Sequence, residues 1–420
     1  MTPYDEALKL ILDHVRPLEA ETVSLERAGG RFVARKLESP TALPPFANSA
    51  MDGFALDTGG REIPAASRWR VVGSVAAGDE GADPARNAGG GTGRANGGAT
   101  PGRAVEIMTG APVPEGFDTV VRVEDVEVEE EGAGHPSRIR VAVPVGPGQN
   151  IRPAGKDFDV GDPVVAPGHR IDPAARAALA ALGLGRIPVL PAPRAAIFPT
   201  GAELVTDPDR ELAPGQIRNS NGPYLEQAMD ELDLSVLTNR PMGDQEAPFL
   251  EALNEVLARD VDLVVTTGAV SMGRYDFIPR AVEEAGARIL FHKAAIRPGK
   301  PVLVAVLPGG ALFFGLPGNP VSVAVGFRFF VHPFIRALRR QSREVAWRLP
   351  LAESVGKRPD LRYFRAVEVV EGDDGGPAAR VLPDQQSFRL SPLLAADAWC
   401  VLPEGLDEVP AGARVDVLPL

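Results

Sequence analysis

Cysteine is almost absent. Cys400 is the single one in 420 residues, so no intrachain disulfide, CxxC redox pair or thiolate metal cage can form, which fits a reducing cytoplasm. Histidine is scarce too: His14, His135, His169, His292 and His332 show no HxxxH or HExxH spacing, which argues against a zinc hydrolase. A GxSxG nucleophile elbow is missing, and Cys400 has no local His motif. Positive charge is in deficit, with 44 Lys and Arg against 56 Asp and Glu for a net charge of −12. That is the wrong sign for a phosphate backbone and argues against nucleic acid as a partner. Long apolar runs are missing as well. The best candidate, residues 321–335, is interrupted by Arg328 and His332, short of the about 20 apolar residues a membrane helix needs. The start, MTPYDEALKL, lacks the basic and apolar regions of a signal peptide. The expectation is a cytoplasmic chain with no membrane partner.

Turn formers are plentiful: Gly 45 and Pro 41 make up about a fifth of the chain, while hydrophobic residues at 44% and charged residues at 24% are ordinary for a globular protein. A chain of 420 residues is too long for one core. An opening helix is expected with Thr2 as its cap, Pro3 at its first position, and Ala7, Leu8, Ile11, Leu12 and Val15 on one face. Residues 46–145 read as a β-rich domain of short strands such as RWRVVGSV and RIRVAVPV. Inside it, residues 78–103 are Gly-rich without apolar periodicity and read as a mobile surface insertion. A helix over 173–182 is capped by Asp172. From Arg194 strands and helices alternate, ending in a hairpin and the apolar helix VSVAVGFRFFVHPFIRAL, the pattern of a parallel three-layer α/β domain. Short strands then return, implying a terminal β barrel or sandwich.

In such a sheet, ligands bind beyond the carboxyl ends of the strands. The loop TTGAVSMGRYD, residues 266–276, offers backbone N–H groups, the hydroxyls of Thr266, Thr267 and Ser271, and Asp276; it reads either as an anion and cation site or as an ordinary strand-to-helix turn. HKAAIRPGKP, residues 292–301, sets Lys293, Arg297 and Lys300 around a Pro-Gly turn, which reads either as a phosphate or oxyanion site or as a solvated surface cluster. Glu203, Asp244 and Asp276 lie at strand ends, where carboxylates converging beside phosphates seat Mg²⁺, although each taken singly also reads as a cap or a solvated side chain. LPGNPVS, residues 316–322, leads into a helix start near Ser322. The residues alone lead to an acidic multidomain α/β protein with a phosphate or oxyanion site and Mg²⁺, its substrate open.

Five ordered strings go further: NSAMDGFAL (48–56), IMTGAPVPEG (107–116), GQNIRPAGKD (148–157), IRPGKP (296–301) and GLPGNPVS (315–322). By these the chain resembles, over nearly its whole length, the molybdopterin molybdenumtransferase family, which includes MoeA and the gephyrin E domain. The resemblance implies insertion of molybdenum from molybdate into adenylylated molybdopterin with release of AMP, assisted by Mg²⁺. It further implies an elongated homodimer supplied by a molybdopterin adenylyltransferase. Its domains would be 1–45 with 146–171 (linker and dimer contacts), 46–145 (β-rich), 172–336 (α/β, molybdopterin-binding) and 337–420 (β-barrel-like). By likeness, Asp52, Thr109 and Asp157 reach the ligand from flanking domains, Glu203, Asp244 and Asp276 are the acidic and metal positions, and Lys293, Arg297 and Lys300 the basic ones. Asp52, Asp276, Lys293 and Lys300 would be catalytic, with Ser271, Ser322 and Ser387 among the substrate-binding positions.

Several positions depart from that family's pattern. Ala202 stands where it has an acid, Asn219 where it has Asp, Ala269 where it has Gly, Arg297 where it has Lys, Glu106 and Asp360 where it has Arg, and Gln386 where it has Gly. A reversed charge at Asp360 is expected to repel molybdate unless Arg358 or Arg362 compensates. Two readings follow: a working insertase with an altered pocket, or an impaired homologue serving as a molybdopterin carrier or scaffold.

Overall fold

The computed structural model describes residues 1–78, 102–132, 135–270, 276–372 and 374–420. Most of the Gly-rich stretch and Ser271 therefore lie outside the described residues.

A mixed sheet forms the middle of the molecule. Its strands are β1 (Arg194–Pro199), β2 (Ser235–Asn239), β3 (Leu263–Thr267), β4 (Arg288–His292), β5 (Leu303–Val306) and β6 (Leu312–Leu316), in the spatial order β2-β1-β3-β6-β5-β4. The first four run parallel, as the alternation of strands and helices requires. The expected hairpin joins β5 to β6 and makes the other edge antiparallel, so the sheet is mixed rather than wholly parallel. Helices cover both faces: α1 (Asn221–Glu231), α2 (Glu246–Leu257), α3 (Ile278–Glu284) and a last helix over Pro320–Leu338 that includes a π turn at Phe327–Val331. That last helix is long and apolar enough to cross a membrane, yet 78% of its span is buried inside this fold. Arg328 is tolerated there because Glu344 pairs with it at 2.8 Å and the Pro419 carbonyl accepts from its Nε at 3.0 Å.

The opening helix spans Tyr4–Leu12, one residue later than expected; Pro3 takes the cap position, and Thr2 instead bridges to Ala294. Tyr4, Ala7, Leu8 and Ile11 bury against Phe291, Phe330 and Phe364, whereas Leu12 remains exposed. The helix thus pins the N-terminus between the central sheet and the C-terminal strands. A separate small core gathers Val33, Leu37, Val165, Ile171, Leu179, Ile187 and Val189. Helix Pro173–Ala181, whose Ala175 N–H is held by Asp172 at 2.7 Å, belongs to that core, so this packing unit runs on past residue 171 to strand Arg186–Leu190.

Between these segments, a six-stranded sheet buries alternate residues on its two sides: Phe54 and Leu56 on one, Ala55 on the other. At the C-terminus, Arg362–Glu371 pairs with Ala398–Leu402, which pairs with Arg414–Pro419, which pairs with Trp347–Pro350. Strand Pro377–Val381 lies beside Arg362–Glu371, and a Leu351 to Ala379 bridge brings the outer strands back together. The result is a barrel around Tyr363, Val367, Cys400 and Val417.

Candidate active site

Two segments bind the barrel to the central domain and create the site. Ile296–Arg297, in the basic loop after β4, adds to the barrel sheet, placing Arg297 opposite Tyr363. The Val321 N–H, one of the groups a helix start leaves without an internal partner, donates to the Ser387 carbonyl at 3.0 Å. Between these joints lies a cleft of about 860 Å³ lined by Arg297, Lys300, Ser322, Arg358, Asp360, Arg365, Gln386 and Ser387. Here Arg297 and Lys300 of the sequence-predicted basic residues meet Ser322 and Ser387, at the N-terminus of the last helix, where anions are favoured.

Tyr363 organises this cleft. Its ring gathers Arg297 at 5.5 Å, Lys357 at 5.4 Å and Arg365 at 5.1 Å, and its hydroxyl accepts from Arg297 Nη1 at 3.2 Å and the Arg358 N–H at 3.1 Å. Burial resists ionisation of the phenol, but these donors and nearby cations outweigh it and bring its pKa below the usual value. Sequence reasoning missed Arg365. Its Nε is buried without a hydrogen-bond partner, and among the described residues no carboxylate pairs with the guanidinium, while burial, then the charge of Arg297, lowers its pKa. A largely buried, uncompensated cation on a cleft wall calls for an anion. The signal was present: Tyr363 and Arg365 are two apart and share a face of one strand, so a charge was aimed at the barrel side.

The reversed charge at Asp360 is neutralised locally. Arg358 Nε and Nη2 donate to its two carboxylate oxygens at 3.0 and 2.8 Å, which together with Lys300 lowers the Asp360 pKa. Arg362 takes no part, because it is engaged by Asp5 at 2.7 Å and Glu404 at 2.9 Å.

A second cleft of about 380 Å³ abuts the first, sharing Asn319 and Phe388 with it, and holds Glu203, Asp244 and Asp276 at the carboxyl ends of the parallel strands. The turn after β1 shapes it. Gly201 has φ +150, a region other residues rarely adopt, and a Cβ there would stand 2.6 Å from Glu203 Oε1, so a larger residue would displace that carboxylate from the turn. Asp244 Oδ2 accepts from the Ala202 N–H at 3.2 Å. Asn219 Oδ1 accepts from the Gly222 N–H at 3.0 Å at the start of α1, a capping role that needs no charge. Ala269 has φ +51, a conformation costing an alanine about 1 kcal/mol and a glycine none.

Among the described residues, no three Asp, Glu, His or Cys side chains converge tightly enough to hold a metal unaided. The expected triad of Glu203, Asp244 and Asp276 therefore lines one cleft without forming a closed cage. Its chemistry still fits Mg²⁺, which takes one or two carboxylates together with substrate phosphates.

Other expected residues stand apart. Lys293 is half-buried with φ +82, its N–H on the Val302 carbonyl and its own carbonyl accepting from Thr2, and it lines neither cleft. Asp52 Oδ1 accepts from the Thr109 N–H at 2.6 Å and its hydroxyl at 2.7 Å, bonds that lower the Asp52 pKa. Both residues are exposed at one end of the β-rich sheet; neither they nor Asp157 line the two clefts.

The arrangement is that of an α/β domain whose strand-end loops pair an acidic cleft with a basic one closed by a C-terminal barrel. Comparison with known proteins gives it a family. Residues 2–183 match the MoeA N-terminal region (domain I and II), 196–337 a probable molybdopterin binding domain, and 348–420 the MoeA C-terminal region (domain IV). The molybdopterin molybdenumtransferase of Synechococcus elongatus is 40% identical, with 99% of each chain covered, and that of Bacillus subtilis 34%, covering 99% of this chain and 93% of the relative. The crystal structure of the molybdopterin biosynthesis MoeA protein from Pyrococcus horikoshii superposes with a TM-score of 0.81 at 28% identity over the full length of both chains. The chain belongs to the molybdopterin molybdenumtransferase family.

Proposed function

We propose that the protein inserts molybdenum from molybdate into adenylylated molybdopterin, releasing AMP. The observation that carries this reading is the abutment of the two clefts. Arg297, Lys300, Arg365, Ser322 and Ser387 offer cations and hydroxyls to molybdate on one side, while Glu203, Asp244 and Asp276 face the phosphoanhydride on the other. Glu203, Asp244 and Asp276 would hold Mg²⁺ together with the phosphates, and the ion would supply positive charge to offset theirs during cleavage. Through that ion the carboxylates would orient the phosphoanhydride, while the cations of the other cleft draw molybdate, so the two negative substrates settle in separate compartments. No covalent nucleophile is required. The scaffold alternative is less favoured, because Arg358 and Asn219 give local physical answers to two of the departures that motivated it.

In the same reading the protein works as a cytoplasmic homodimer, in which Asp52, Thr109 and Asp157 of one subunit complete the partner's clefts, and receives its substrate from a molybdopterin adenylyltransferase. Ser271, Lys293 and the catalytic roles of Asp52, Asp276 and Lys300 belong to this proposal. Its test is AMP release from molybdopterin-adenylate by purified protein, with and without molybdate and Mg²⁺. Release that requires both supports insertion; tight molybdopterin binding without release supports the carrier.

A further inference from the structure

Phe388 is 67% exposed, yet it lies on the wall shared by the two clefts. Isolated exposed apolar residues are ordinary on protein surfaces. This one differs in that its backbone is anchored where two charged compartments meet. Its turn is closed by the Arg389 N–H on the Gln386 carbonyl at 2.9 Å and fastened to the last helix through Ser387 and Val321 at 3.0 Å. The Gln385 side chain clamps the preceding residues, accepting from the Ala366 N–H at 2.8 Å and donating to the Ala366 and Leu382 carbonyls at 2.8 and 2.7 Å. Arg389 also pairs with Asp384 at 3.2 Å.

Two further exposed apolar side chains, Ile217 at 53% and Leu390 at 44%, line the acidic cleft with Phe388. An anion alone has no use for them. They give the junction an apolar floor beside a polar edge that includes Ser220 and Asn221. That combination suits a planar ring with hydrogen-bonding edges, and a phenyl face supports such a ring by stacking whatever its detailed edge pattern.

We propose that Phe388 is the ring-stacking, specificity-determining residue of the site, a planar heteroaromatic base of the substrate lying against it while oxyanion and phosphates occupy the compartments on either side. This rests on the function proposed above, whose substrate carries two such rings, pterin and adenine. A substrate lacking its ring loses the floor and keeps only charge contacts, which pyrophosphate makes equally well.

Calorimetric titration of the full-length dimer or monomer, as purified, with AMP, molybdopterin and pyrophosphate tests the idea in wild type, Phe388→Ala and Phe388→Tyr. The expected result is a loss of roughly tenfold or more for AMP or molybdopterin in Phe388→Ala, recovery in Phe388→Tyr, and pyrophosphate unchanged within about twofold. Loss confined to AMP identifies adenine as the stacked ring, and loss confined to molybdopterin identifies the pterin. Wild-type binding of both ring ligands that Phe388→Ala leaves intact overturns the stacking role alone. A wild type that binds neither overturns the functional reading and the stacking role with it. Equal weakening of pyrophosphate shows a disturbed cleft and also overturns the proposal.

Discussion

Arg358 meets both oxygens of the Asp360 carboxylate, at 3.0 and 2.8 Å, on the wall of the basic cleft. Each group thereby cancels the other toward an incoming anion. Removing the acid frees the guanidinium, so Asp360→Asn is expected to lower the KM for molybdate by about two- to fivefold, whereas Arg358→Ala leaves a bare carboxylate and raises it by a similar factor. Both side chains are about half exposed or more, so the effects are modest and shrink with added salt. Steady-state AMP release against molybdate concentration, at two ionic strengths, measures them.

Arg365 stands differently, because burial removes the screening that weakens Arg358. Arg365→Ala is expected to cost ten- to a hundredfold in kcat/KM for molybdate, and Arg365→Lys to recover only part of it, since a point charge does not reproduce the planar fork. The thermal midpoint of Arg365→Ala should stay level or rise, as an uncompensated buried cation is lost. A fall of many degrees would mean that the guanidinium is needed for the barrel itself.

Much of this architecture was legible in the chain. Apolar periodicity located α1, α2 and α3, and β6 followed from LFFGL, five residues that are all buried. The strand-end loops bring Glu203, Asp244 and Asp276 to one cleft. Strand alternation puts Arg365 on the Tyr363 face, but it does not say which of the cations in RPDLRYFR is already paired: Arg358 and Arg362 spend their charge on Asp360, Asp5 and Glu404, the last two remote in sequence. The cap at Thr2 was misread for a similar reason, since its backbone is claimed by Ala294 across 292 positions. Local propensity carries no information about such partners.

Substitution on the acidic side separates function from folding. Asp276→Ala is expected to abolish AMP release while leaving the thermal midpoint within a few degrees, because Asp276 lies on a cleft wall rather than in a hydrophobic cluster. Lys293→Ala is expected to abolish release as well, although that residue lies outside the lining of either cleft. Full activity in both variants would remove the proposed site.

His332 gives a pH dependence of stability. Burial, reinforced by Arg328, Arg336 and Arg339, pushes its pKa down to about 3, and Arg328 Nη1 lies 3.0 Å from Nδ1, as a neutral acceptor requires. The native imidazole is then neutral across a range where the unfolded one, with an ordinary value near 6.5, takes up a proton. This contribution is fully present above that value and is lost as pH falls toward 3, by up to about 1.4 kcal/mol per pH unit. Urea unfolding between pH 7 and 4.5 should show this slope, and His332→Gln should flatten it; an unchanged slope would assign the acid sensitivity to other groups.

Asp52 and Thr109 are bonded to each other on the β-rich sheet, away from both clefts of their own chain. If they serve the partner's clefts, their defects and those of the acidic cleft are separable between subunits. Asp52→Asn and Asp276→Ala homodimers are both expected to be inactive. A mixed dimer carries one site with both defects and one with neither, because the Asp276 of one chain meets the Asp52 of the other. Random reassociation makes half the dimers mixed, so activity should return to about a quarter of wild type by the two-fold symmetry of such an assembly. Intrachain action predicts no recovery at any mixing ratio, since every site then keeps a single defect. Light scattering on the same samples fixes the subunit number, and a monomeric mass at working concentration would contradict the shared site outright.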